Sequence, residues 1–127
     1  MAHGATIDKY MGDAIMAFWN APLEEPDHVV RACRAALLTR AANAALNRRW
    51  AAEGQDVMET RLGLHTGEAV VGNVGSSDRM NYTAIGATVN LAARLEGLNK
   101  AYGTWILVTS GVRRRDSCRP RSRCSGR

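Results

Sequence analysis

The chain has 127 residues, 46% of them apolar, which allows one globular domain with a modest core. No apolar run approaches the roughly 20 residues that cross a bilayer, and Met1-Ala2-His3-Gly4-Ala5 lacks the basic start and apolar stretch of a secretion signal. The net charge of +5 is concentrated at one end: residues 113–127 hold seven arginines against Asp116, whereas residues 1–112 hold ten basic and eleven acidic residues, a net of −1.

Thr6–Met11 and Ala14–Trp19 are rich in apolar and aromatic residues, and Gly12-Asp13 between them is a turn signal, so a hairpin opens the chain. Ala21-Pro22 breaks it. Glu24-Glu25-Pro26-Asp27 then marks a helix start, with proline suited to the first turn and acids to the positive end of the helix dipole. The helix is expected to run to about Trp50, with Val30, Cys33, Leu37, Ala41 and Ala44 at helical spacing and Arg31, Arg34, Arg40, Arg48 and Arg49 on a solvated face. Arg61–Gly75 reads as two strands joined near Thr66-Gly67-Glu68, followed by a short strand over Met80–Ala84. Gly86 leads into a second helix, about Ala87 to Asn99, and a last strand covers Thr104–Thr109. The order β-β-α-β-β-β-α-β predicts an α+β fold, with helices layered on one mainly antiparallel sheet.

Three cysteines, Cys33, Cys118 and Cys124, are an odd number without metal-ligand spacing, and reduced thiols are expected. His65 stands in a strand-like run with no second ligand near it in sequence, so packing is its expected role. Trp19, Trp50 and Trp105 read as core or edge aromatics. The arginine-rich end has no aromatics and no apolar period; it reads as a disordered tail, and nucleic-acid binding is not expected of it.

Two stretches carry chemistry. In the first, Lys9, Gly12 and Asp13 lie within five residues at the hairpin tip. A carboxylate on a tight turn can hold a hard cation, and a nearby lysine suits a phosphate-bearing ligand; an ordinary solvated turn is the alternative. In the second, Asn90 and Arg94 are four apart and share one helix face, beside a core stripe of Leu91, Leu95 and Leu98. An amide can orient a hydroxyl, and a guanidinium can clamp a phosphate with two parallel hydrogen bonds. The alternative is a helix Asn and a surface Arg without ligands.

Taken together with Arg61-Leu62-Gly63-Leu64-His65-Thr66-Gly67, the runs Lys9–Ala17 and Tyr82–Leu95 resemble the catalytic domain of class III adenylate/guanylate cyclases, most of all the bacterial adenylyl type. The resemblance covers roughly residues 4–112. It implies a ferredoxin-like nucleotide-cyclase fold and a reaction that turns ATP into cyclic AMP and pyrophosphate. It also implies roles: Asp13 as one of two metal-binding aspartates, Lys9 and Thr83 as the purine-reading pair, Asn90 for the ribose and Arg94 for the transition state. Two divalent metal ions, Mg²⁺ or Mn²⁺, and a head-to-tail homodimer come with it. So does a cytoplasmic setting, whether or not a parent protein is anchored to a membrane.

The chain departs from the family pattern at both ends. A Phe-x-Asp-x-x-Gly-Phe motif, which carries the partner aspartate in the family, does not precede Gly4. After Val112 the composition jumps to arginine, as a shifted reading frame or a divergent tail would produce. The resulting expectation is a partial cyclase domain over residues 1–112 with a tail over 113–127, inactive alone. A non-catalytic nucleotide-binding or dimerisation module is the alternative.

Overall fold

The computed structural model describes residues 3–114. Its elements follow the expected order: β1 (Thr6–Met11), β2 (Ala14–Phe18), α1 (His28–Ala52), β3 (Leu62–Leu64), β4 (Val70–Ser76), β5 (Arg79–Ile85), α2 (Ala87–Tyr102) and β6 (Ile106–Val108). A short α3 (Ser110–Arg114) follows. The calls for Cys118, Cys124 and most of the arginine-rich tail fall outside the described residues.

The mixed helix-and-strand fold with antiparallel pairing is present. Within the described residues its strands are hydrogen-bonded as three pairs: β1 with β2, β4 with β5, and β3 with β6. The first two pairs are antiparallel; β3 and β6 run parallel, Leu62 facing Ile106 and Leu64 facing Val108. The strands before and after Thr66-Gly67-Glu68 therefore do not pair with each other. β3 instead lies under α2, and Gly63 makes that possible: a side chain there would run into the helix backbone at Ala92 and Glu96.

Both helices bury a different stripe from the one expected. In α1 the buried residues are Val29, Cys33, Ala36 and Asn43, while Leu37 is 63% exposed. An alanine-rich helix offers little contrast between faces, so the apolar period leaves the phase of the stripe open. In α2, Leu91 and Leu98 are 38% and 44% exposed, and Asn99 is fully buried. The close approach at Gly63 turns Ala92, Leu95 and Asn99 inward, spaced i, i+3 and i+7.

Asn99 joins three segments. Its amide nitrogen donates to the carbonyls of Leu62, Leu95 and Glu96 at 2.9–3.1 Å, and its oxygen accepts from the Thr104 hydroxyl at 2.8 Å. Asn43 and Asn47 do similar work on α1. Their amides donate to the Met58 carbonyl, and the Met58 N–H returns a bond to Asn47. The apolar core is small: Val29, Cys33 and Val112, with Leu64 against them, join α1, β3 and α3. The expectation of reduced thiols also rests on Cys118 and Cys124, which lie outside the described residues.

Three arginines of the expected solvated face have partners, Arg49 among them with Glu53 at 3.9 Å. Arg31 pairs with Asp27 at 2.9 Å and Glu25 at 3.2 Å, and the hydrogen bond to Asp27 is the main cause of its raised pKa. Arg40 stacks over the Trp105 ring, 4.1 Å from its centroid. That contact ties α1 to the segment leading into β6.

Candidate nucleotide site

The β1–β2 hairpin is irregular at one point. Ile7 faces Ala17 and Lys9 faces Met16, so Asp8 is an extra residue between two consecutive pairs, a β-bulge. A bulge re-aims the side chain it carries, and Asp8 points inward with its side chain 1% exposed. Its Oδ2 accepts the Thr83 hydroxyl at 2.6 Å and the Ala84 N–H at 3.2 Å. Its Oδ1 lies 3.6 Å from Lys9 Nζ. The carboxylate thus bridges β1 and β5, strands that share no ladder of their own. Phe18 and Tyr82 reinforce the junction, their rings 6.0 Å apart.

This brings Lys9 and Thr83, far apart in sequence, onto one group. Thr83 is buried and followed by Ala84, which begins the wall of an open cavity of about 430 Å³. Ile85, Gly86, Ala87, Val89 and Asn90 complete that wall. Gly86 precedes α2 with φ of 144°, a conformation that favours glycine, and its carbonyl accepts the Val89 N–H at 3.1 Å. The Thr88 hydroxyl fixes the first turn of α2 to the Glu68 carbonyl. Asn90 therefore lines a cavity whose wall holds none of Lys9, Asp8 and Thr83. Arg94 lies one turn further along α2 and is exposed.

Asp13 stands in the β1–β2 turn, where Gly12 has φ of 63° and carries the reversal. Asp13, Asn90 and Arg94 form no side-chain hydrogen bond or ion pair among the described residues. Among the described residues no group of three or more His, Cys, Asp or Glu side chains could hold a metal ion. Asp13 by itself is one ligand and not a metal site. His65 is tied to Thr109, its Nδ1 2.8 Å from the hydroxyl, as a packing role requires.

Asp8 is the residue that sequence reasoning missed. The available signal was a carboxylate at an interior position of an apolar strand, where a charge needs a buried partner. Among the described residues no helix is long and apolar enough to cross a membrane.

Comparison with known proteins converges on one family. Residues 4–122 match the family described as adenylate and guanylate cyclase catalytic domain. The chain is 48% identical over 111 residues to adenylate cyclase 1 of Rhizobium meliloti, covering 87% of this chain and 17% of that protein. It is 39% identical over 119 residues to an adenylate cyclase of Anabaena cylindrica, covering 91% of this chain and 23% of the relative. Among solved structures, the guanylyl cyclase Cya2 matches with TM-score 0.78 and 34% identity, covering 98% of this chain and 61% of that one. The adenylyl cyclase CyaB from P. aeruginosa matches with TM-score 0.75 and 34% identity, covering 87% and 57%. The chain belongs to the adenylate and guanylate cyclase catalytic domain family. It spans about a fifth of the length of these two curated relatives.

Proposed function

We propose that this chain is the nucleotide-handling part of an adenylate cyclase, which forms cyclic AMP from ATP when assembled head to tail with a second copy. In that reaction the ribose 3′-oxygen bonds to the α-phosphorus, the bond to the bridging oxygen breaks, pyrophosphate leaves and the hydroxyl proton passes to solvent. Lys9 and Thr83 read the adenine, Asn90 orients the ribose, and Arg94 takes up charge that develops at the phosphorus. Positioning and charge stabilisation of this kind need no covalent nucleophile. The observation that carries the reading is the convergence of Lys9 and Thr83 on Asp8.

Exposed apolar side chains support the second copy. Tyr10, Met11 and Ile15 on the hairpin and Val70 and Met80 on β4–β5 are each at least 50% exposed, apolar surface that a second copy would cover. Cyclase chemistry in this family requires divalent metal by resemblance, and the described residues offer Asp13 alone, which does not fit a complete metal site. No step is therefore assigned to a metal here, and a single copy is expected to bind ATP without turning it over.

The test is an assay for cyclic AMP with ATP and Mn²⁺, on the isolated chain and on the full-length protein that carries it. Product from the full-length protein and ATP binding without product from the chain support the proposal. Robust turnover by the isolated chain at concentrations where it is monomeric would remove the claim that one copy is insufficient. ATP binding with no product in either preparation favours a non-catalytic nucleotide-binding module, and no ATP binding in either overturns the reading.

A further inference from the structure

The Asp8 junction does more than connect two strands. A hydroxyl has one proton to donate and two lone pairs with which to accept. Thr83 gives its proton to Asp8, and at 2.6 Å this is a short, charge-assisted bond. An ionised carboxylate cannot donate in return. The Thr83 oxygen is thereby left with lone pairs only.

We propose that Asp8 is a specificity-determining positioning residue, which makes Thr83 a one-sided acceptor and so selects a purine with an amino group at C6 over one with a carbonyl there. The inference rests on the reading that Lys9 and Thr83 face the base. A free threonine hydroxyl would not discriminate: it can rotate to accept from an amino group or to donate to a carbonyl. Held by Asp8, it can only accept. A 6-amino group then finds a partner, whereas a 6-carbonyl meets lone pairs and leaves two acceptors facing each other without a proton between them. The same carboxylate, through Oδ1, holds the Lys9 ammonium at 3.6 Å. There it can donate to an unprotonated N1, as in adenine, and opposes the N1–H of a 6-oxopurine. One buried side chain thus sets the polarity of both readers.

The test is calorimetric titration of the full 127-residue chain with ATP and with ITP, nucleotides that differ in the base only at C6 and N1. The wild-type chain is expected to prefer ATP, and Thr83→Val is expected to reduce that preference. Asp8→Ala removes the acceptor of the Thr83 hydroxyl and frees its proton. It should lower the ATP:ITP ratio about fivefold to tenfold, mainly by improving ITP. Added to Thr83→Val, Asp8→Ala should change the ratio by less than it does alone, the remainder acting through Lys9. Should Asp8→Ala not fold, Asp8→Val frees the same proton and is read by the same ratio. A merely structural Asp8 would weaken both nucleotides equally and lower the melting temperature, with the ratio unchanged; that result overturns the inference alone. If Thr83→Val leaves the wild-type ratio intact, the base-reading assignment falls, and this inference falls with it.

Discussion

Asn90 and Asn99 lie nine residues apart on the same helix and have opposite fates. Asn99 is fully buried, with its amide and its oxygen both committed to neighbouring segments. Asn90 is exposed at a cavity wall and has no side-chain partner among the described residues. One end of α2 spends its amide on the fold; the other leaves its amide available. A polar side chain in a cyclase-like motif is thus distinguished from a structural one by what already satisfies it, and not by its type.

The sharpest way to break this contrast is Asn99→Ala. It strips hydrogen bonds from the half-buried Leu62 carbonyl and the Thr104 hydroxyl, and should cost about 3 kcal/mol, read as a lower denaturation midpoint. Arg94→Ala and Asn90→Ala should behave in the opposite sense. Each should leave thermal stability within about 0.5 kcal/mol of wild type, while cyclic AMP formation by the assembled cyclase drops about 100-fold. A large loss of stability in either variant would place that residue with Asn99. The smallest effect is expected at Arg40. Replacing it by Ala removes the stacking on Trp105 and should cost about 0.5–1 kcal/mol, measured in the same denaturation experiment, with no change in nucleotide binding.

The order of elements was legible because local signals agree with the fold. Gly12-Asp13 makes the turn, Pro26-Asp27 precedes α1, and Gly86 precedes α2. The family was legible because three motifs stand in order along the chain. What sequence left hidden was orientation. The stripe in α1 could slide by one residue among alanines, and the stripe in α2 was set by a glycine on β3, more than twenty residues away. The Asp8 junction joins positions 75 apart in sequence, and no local pattern reports a contact of that range. Lys9 and Thr83 are paired by the family resemblance; the carboxylate that holds them together reads in the sequence only as part of a strand.

The bulge at Asp8 also bears on how this chain tolerates editing. The hairpin pairs Ile7 with Ala17 and Lys9 with Met16, so every partner on β2 is already taken without Asp8. Loss of that single codon would make the two pairs adjacent and leave a regular ribbon, with the Gly12-Asp13 turn unchanged. Such a deletion would be nearly silent for the hairpin as a piece of secondary structure. It would nevertheless detach β1 from Thr83 and Ala84, so the hairpin could persist while the pairing of two distant motifs was lost.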